Sequence, residues 1–358
     1  MSDRDDSKRI VDAIKRAAED RTPLNIRGSG SKDFYGHTSG GEPLDVTTHG
    51  GILNYQPGEL VITARGGTPL REVEAALAEQ RQYLPFEPPH FGDNATLGGA
   101  IASGLSGPRR PWSGAARDLV LGTRIVNGRG EELRFGGEVM KNVAGYDISR
   151  LMTGSLGTLG VLLDISLKVL PVAEYEITLT FELDASEALS MIARHARTPI
   201  PLTGAAHVDG VLYLRLAGAR DGVEAAHNSL GGDTATNDAF WRDLREQQLD
   251  FFTRAKGNLW RWSCAPNTAL DPSIGEILLD WGGAQRWFFS ETRGSDLRAQ
   301  FDISSGHLQC FRLGSSFDEN ERFHPLSAAT QRINDTVKKA FDPYGIFNPG
   351  RLFPLPGH

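Results

Sequence analysis

The apolar residues Ile10, Val11, Ile14, Ala17 and Ala18 recur at helical spacing, and polar residues fill most of the positions between them. That stripe predicts an amphipathic helix, ended by Pro23. Leu24–Arg27 then predicts a short strand running straight into Gly28-Ser29-Gly30-Ser31. Leu60–Ala64 predicts a β-branched strand, and the turn Arg65–Thr68 follows it. Pro69 opens a helix that carries Val73, Ala76 and Leu77. Leu119–Val126 and Glu132–Phe135 predict a hairpin joined at Asn127-Gly128. Thr158–Leu170 predicts a long strand that stops at Pro171.

Beyond Pro171 the pattern changes. Tyr175–Leu183, Gly204–Val208 and Val211–Ala217 predict strands, while Ser186–Arg197 and Gly222–Ser229 predict helices. This β-α-β-β-α run resembles the first part of a ferredoxin-like sandwich. Gly231–Asn237 predicts a loop, a tryptophan-rich stretch follows, and Ser327–Phe341 predicts a last helix. The division is therefore expected near residue 172, giving domains 1–172 and 173–358.

Composition narrows the classes. The chain has 358 residues, 39% hydrophobic and 23% charged, enough for two ordinary globular domains. Its 38 basic and 45 acidic residues leave a net charge of −7, which argues against a nucleic-acid partner. Two cysteines, Cys264 and Cys310, are too few to ligate an iron–sulfur cluster and are expected to stay reduced. Residues Met1–Lys8 are charged and show no signal-peptide core, and the longest apolar run, Val161–Leu170, is broken by Asp164, Ser166 and Lys168. The expected location is cytoplasmic.

Three glycine-rich segments carry the candidate chemistry. In Arg27-Gly28-Ser29-Gly30-Ser31-Lys32, alternating glycine and serine after a strand can curl backbone amides into an anion-binding nest. A plain surface turn is the other reading, and Asp33 stands where a dinucleotide fingerprint needs its third glycine. In Ala95–Gly104 the small residues permit close backbone approach to a ligand, or a tightly packed helix start. In Gly154–Val161 three glycines at spacing three precede an apolar strand, as for a bulge beside a flat ligand or a large hairpin turn.

In their order and contexts these segments resemble the FAD-binding domain of the vanillyl-alcohol oxidase / p-cresol methylhydroxylase (PCMH) superfamily, over roughly residues 5–172. Gly154-Ser155-Leu156-Gly157-Thr158-Leu159-Gly160-Val161 stands in full register with the family, and Lys141–Asp147 is similar to its segment just upstream. The resemblance implies that the first loop holds a pyrophosphate, that the second approaches the pyrophosphate and ribityl chain, and that the third lies near the flavin. The cofactor set it implies is Arg27, Gly28, Ser29, Gly30, Ser31 and Lys32; Thr96, Leu97, Gly98, Gly99, Ala102, Ser103 and Gly104; Asn142, Gly145, Tyr146 and Asp147; and Gly154, Ser155, Gly157, Thr158, Gly160 and Val161. Some members attach flavin through a histidine in the first loop. Here that loop offers Ser29 and Ser31 and no histidine, so FAD is expected to be bound non-covalently.

Leu259–Ser263, Leu279–Trp287 and the tail Phe341–Leu352 extend the resemblance nearly end to end, to the E-subunit (GlcE) family of bacterial glycolate oxidases. This implies an α+β chain, with a two-subdomain PCMH-type FAD-binding domain followed by a ferredoxin-like cap domain. It further implies the FAD-binding subunit of a multi-subunit oxidase that converts glycolate, or another small 2-hydroxy acid, to its oxo acid. The implied partners are a second FAD subunit (D) and an iron–sulfur subunit (F), with membrane contact only through the complex. A self-sufficient FAD-dependent dehydrogenase such as D-lactate dehydrogenase, and a scaffold that has lost its flavin, are the other readings.

Catalytic candidates are few. Arg286 could pair with a carboxylate or a flavin oxygen, or be solvated on an exposed β-turn. His307, in an apparent strand, could serve as a base with a pKa near neutrality, or be a half-buried structural histidine. His90, after Pro88-Pro89, could sit near the flavin or simply on a loop. The nine histidines include no His-x-His pair, the metal motif of the related dehydrogenases, so no metal site is expected and independent oxidation of the substrate is doubtful.

Overall fold

A computed structural model describes residues 3–137, 147–237, 239–254, 256–301, 306–314 and 322–353. In chain order the first elements are α1 (Ser7–Asp20), β1 (Leu24–Arg27), β2 (Glu42–Asp45), β3 (Ile52–Gln56), β4 (Val61–Arg65), α2 (Leu70–Ala78), β5 (Gln82–Tyr83) and α3 (Leu97–Ser103). Next come α4 (Arg110–Ser113), α5 (Ala116–Leu119), β6 (Val120–Val126), β7 (Glu132–Gly136), α6 (Ile148–Met152), β8 (Val161–Lys168) and β9 (Leu170–Pro171). Then follow β10 (Tyr175–Glu182), α7 (Ala185–His195), β11 (Leu202–Val208), β12 (Val211–Gly218), α8 (Arg220–Leu230) and β13 (Asp233–Thr234). The last are α9 (Phe240–Arg245), α10 (Asp250–Arg254), β14 (Asn258–Ser263), β15 (Leu278–Asp280), β16 (Gln285–Ser290), α11 (Gly294–Gln300), β17 (His307–Arg312) and α12 (Ala328–Phe341).

Two compact units emerge, and they divide the chain differently from the expected cut at 172. One takes Met1–Ser106, Gly114–Pro171 and Pro325–His358; the other takes Gly107–Ser113 and Val172–His324. The tail returns to the first unit because Ile346 and Phe347 bury in a core with Ile10, Ile14, Leu24 and Leu44. That core joins α1 to the parallel pair β1-β2. A second core lies on the five-stranded antiparallel sheet β3-β4-β8-β6-β7, where Ile62, Ile125, Ile165 and Leu167 meet Leu70, Val73 and Leu77 of α2 and Leu97 and Ile101 of α3. The first unit is thus two subdomains, each with its own apolar face buried. The strand expected from Thr158 begins only at Val161, because Thr158 is held in a turn, its amide donating to Ser155 O at 3.0 Å.

In the second unit β13-β10-β12-β11 form one half of an eight-stranded sheet. Within β10-α7-β11-β12-α8-β13 this is the ferredoxin-like order. The amphipathic faces of α7 and α8 supply Ala188, Ile192, Val223 and Ala226 to its core. The sheet continues through β15-β16-β14-β17, where Trp260, Trp262, Phe288, Leu308 and Cys310 pack with Leu297 and Phe301. Cys264 and Cys310 are free thiols, not a pair. Among the described residues no helix is long and apolar enough to cross a membrane.

Candidate cofactor site

All three glycine segments converge on one groove of the first unit, which encloses about 810 Å³ counting its open mouth. Its walls include Arg27, Gly28, Ser29, Gly30, Ser31 and Lys32 from the first loop. Thr96, Gly98, Gly99, Ala102 and Ser103 come from α3 and its cap, and Gly157, Gly160 and Val161 from the third segment. The second segment satisfies both of its sequence readings at once. It is a helix start, with the Thr96 hydroxyl accepting from the Gly99 amide at 3.2 Å, and it is also a wall of the groove.

Close contact between loops depends on missing side chains. A Cβ on Gly28 would lie 2.6 Å from Thr96 Oγ1, and one on Gly98 would lie 2.8 Å from the Gly66 carbonyl oxygen. In the first loop Gly30 adopts φ 80°, a conformation that glycine takes without strain. The backbone amides of Ser29, Gly30 and Ser31 donate to no acceptor among the described residues. Polar N–H groups left this way at a groove wall suit an anionic ligand. The surrounding charge agrees. Arg27 pairs with Asp33, Lys32 Nζ donates to the His90 carbonyl at 3.1 Å, and Arg351 closes the same wall. Cations and amides together fit the diphosphate of FAD, and the glycine-lined walls fit close passage of the rest of the molecule.

Several expected cofactor residues stand elsewhere. Leu97 is buried in the sheet core, and Gly104 caps the end of α3. Gly154, Ser155 and Thr158 shape the third loop from behind: Ser155 Oγ donates to the Met152 carbonyl at 2.8 Å and Thr158 Oγ1 to the Ser155 carbonyl at 2.7 Å. Asp147 caps α6, accepting from the Arg150 amide at 3.0 Å. Asn142, Gly145 and Tyr146 lie outside the described residues. Conversely, Asn348 and Arg351 line the groove although the sequence reading gave the tail no part in it. The only signal for them was the Asn348-Pro349-Gly350 turn, which marks a bend without saying what it approaches.

The catalytic candidates fare differently. His90 Nε2 lies 3.1 Å from the Glu74 carboxylate and is outside the groove's lining. Arg286 is not solvated but fully buried. Its guanidinium donates to the carbonyls of Gly283 at 3.2 Å, Ala269 at 3.0 Å and Thr268, and lies over the Trp262 ring. Burial lowers its pKa, so the carbonyls hold a cation that costs free energy to desolvate. His307 starts β17 with an exposed edge, yet its pKa is pushed down to about 4. The causes are exclusion of water by the surrounding protein, then the positive charges of Arg261, His324 and Arg110. Burial and the neighbouring Arg261 and Arg110 therefore hold it below the near-neutral value expected of it.

Comparison with known proteins shows the family and its cofactor. The FAD binding domain family matches residues 5–136. Glycolate oxidase subunit GlcE of Escherichia coli K12 is 49% identical over 349 residues, covering 98% of each chain. Glycolate oxidase subunit GlcD of Bacillus subtilis is 33% identical over 177 residues, covering 48% of this chain and 37% of its own. A solved structure of alkyldihydroxyacetonephosphate synthase shares the fold at TM-score 0.66 with 15% identity, covering 96% of this chain and 74% of its own. Glycine loops that converge on one groove, an α+β PCMH-type architecture and near-complete sequence coverage place this FAD-binding chain in the GlcE family of glycolate oxidase subunits.

Proposed function

We propose that this chain is the subunit of a multi-subunit glycolate oxidase that holds FAD non-covalently in the groove of its first unit. Electrons taken from glycolate as it becomes glyoxylate would pass through the complex to an iron–sulfur partner (F) and on to the respiratory chain. A second FAD subunit (D) would carry the substrate site. The observation that carries this reading is 49% identity to glycolate oxidase subunit GlcE spread over 98% of both chains.

The chain's own part is binding and orientation. The amides of Ser29, Gly30 and Ser31, with Lys32, would take the diphosphate. Gly98 and Gly99 would let the wall of α3 approach the ribityl chain, and Gly157, Gly160 and Val161 would border the ring system. When bound, FAD supplies the two-electron redox chemistry. Arg286 and His307, in the second unit, remain the candidates to act on a 2-hydroxy-acid substrate. However, Arg286 is committed to backbone carbonyls and His307 is a poor base at neutral pH.

Anaerobic titration tests the reading. Glycolate should fail to bleach the flavin of the isolated chain and should bleach it after D and F subunits are added. Bleaching of the isolated chain by glycolate or D-lactate would replace this reading with a self-sufficient dehydrogenase. A colourless chain that cannot be reconstituted with FAD would refute it outright.

A further inference from the structure

The tail, Phe341–Leu352, closes the chain and packs against the first unit. From Ile346 it runs alongside β1. Leu24 N donates to Ile346 O at 2.7 Å, Asn348 N donates to Leu24 O at 3.0 Å, and Leu24 bridges Phe347 in parallel. The tail is thus a third edge on the β1-β2 pair, and its buried Ile346 and Phe347 fix it there.

What the tail then does to the groove is specific. Asn348 Oδ1 accepts from the Ile26 amide at 2.7 Å, and its Nδ2 donates to the Leu156 carbonyl at 2.8 Å. Ile26 leads into the first glycine loop and Leu156 lies inside the third, so a single amide ties both walls together. Asn348 sits at φ 40°, a left-handed conformation that asparagine tolerates better than most residues. Gly157 faces the same amide, where a Cβ would lie 2.7 Å from Nδ2. Further along, the Arg351 guanidinium donates to the carbonyls of Tyr35 at 2.8 Å, Asp33 at 3.2 Å, His37 at 3.2 Å and Lys32 at 3.4 Å. Its own carbonyl accepts from the His37 amide at 2.9 Å. A cation therefore gathers the carbonyls that follow the loop, while the preceding amides of Ser29–Ser31 keep no protein acceptor among the described residues.

We infer that Asn348 and Arg351 are positioning residues for FAD: the tail clasps the first and third glycine loops at the separation the cofactor needs. The groove is then completed by the opposite end of the chain, and FAD affinity depends on tail docking. The inference rests on this groove being the FAD site.

The test uses the full chain, freed of flavin and titrated with FAD by flavin fluorescence, with the flavin-free Tm measured in parallel. Asn348→Gly suits the positive φ and removes both bonds. Asn348→Asp keeps the acceptor for Ile26 and removes the donor to Leu156. Loss of a buried hydrogen bond should weaken FAD binding about tenfold in either variant. Arg351→Gln should weaken it by a similar factor, and Arg351→Lys, which restores the charge without the fork, should recover part of the loss. Tyr344→Ala, on an exposed part of the tail, should bind FAD like the unaltered chain. If Asn348→Gly and Arg351→Gln bind FAD within about twofold of the unaltered chain while their flavin-free Tm falls, the tail is a staple and the inference fails. If Asn348→Gly does not fold, the Arg351 pair decides the question. Gly99→Leu, which adds bulk to the groove without touching the tail, separates the two claims. Loss of FAD there alone sinks the clasp and leaves the groove, whereas unchanged binding in every variant sinks the groove.

Discussion

Gly99 offers the cleanest single test of the groove. It lies in the first turn of α3, and a Cβ there meets only one atom within 4 Å, Thr96 Oγ1 at 3.1 Å. Gly98 beside it is a poor choice, because its Cβ would strike the Gly66 carbonyl oxygen at 2.8 Å and disturb the fold itself. Replacing a helical glycine stabilises the flavin-free chain by roughly 0.5–1 kcal/mol where space allows. The 3.1 Å approach to Thr96 Oγ1, which caps α3, offsets part of that gain, so the Gly99→Leu chain should keep about the stability of the original without cofactor. With FAD present, the added side chain occupies the wall that the ligand must approach. Overpacking of that kind costs about 2 kcal/mol, which is roughly thirtyfold in affinity.

The assay is equilibrium titration of the flavin-free chain with FAD, alongside its thermal melting curve. The expected signature is opposite movement: flavin-free Tm unchanged or raised, and FAD Kd raised about thirtyfold. Wild-type affinity in a folded Gly99→Leu chain would refute the groove assignment, since no protein atom would then explain why the position is open. A fall in Tm matching the loss of affinity would show instead that the substitution damages the fold.

Other consequences are checked as simply. Acid precipitation should release all flavin into the supernatant; flavin retained in the pellet would contradict non-covalent binding. The His307 ring, followed by NMR, should remain neutral from pH 7 to about 5, because its pKa is pushed down to about 4; a midpoint near 6.5 would contradict the burial and arginine environment that lowers it. Asp164 is desolvated, but the neighbouring His49 and Arg124, whose Nε donates to it at 2.6 Å, more than offset this and lower its pKa. Its contribution to stability is then present above the unfolded value near 4 and is lost as pH falls through the lower folded value. Asp164→Asn should cost about 2 kcal/mol in urea unfolding at pH 7, discounted for partial exposure, and little at about pH 2. Lys338 Nζ donates to Thr158 O at 2.7 Å, Phe347 O at 2.9 Å and Asp342 at 2.6 Å, so Lys338→Met should lower stability by about 2 kcal/mol.

How much of this was legible from sequence depended on the range of the interaction. The stripe of α1 and the strand-to-glycine step at Arg27–Gly28 are local patterns, and both stand as read. The run from Tyr175 to Ser229 likewise placed the first five elements of the ferredoxin-like half. β2 and β3 were missed: Pro43 sits inside one, and Leu53, Asn54 and Tyr55 give the other no clean alternation. Neither expectation for Arg286, a carboxylate or flavin partner or a solvated turn, included burial on backbone carbonyls, because arginine is rarely buried. A signal existed, since Arg286 shares the two-residue period of β16 with Phe288, whose side chain is in the core. Asn348 and Arg351 left no comparable signal. Their partners lie at the other end of the chain, and a side chain bonding backbone carbonyls does not constrain what residue supplies them.

The distribution of polar groups differs between the two units. In the first unit the amides of Ser29, Gly30 and Ser31 remain open at the groove, while Arg351 and Asn348 hold the surrounding carbonyls and amides in place. In the second unit the two side chains with catalytic potential are constrained. Arg286 is fixed on three carbonyls, and the cations around His307 disfavour the proton that a base must accept. A lowered pKa makes His307 a weak proton acceptor at neutral pH. Holding a cofactor needs the first arrangement and is indifferent to the second. Oxidising a 2-hydroxy acid needs a competent base, which under the proposed function would be a residue other than these two.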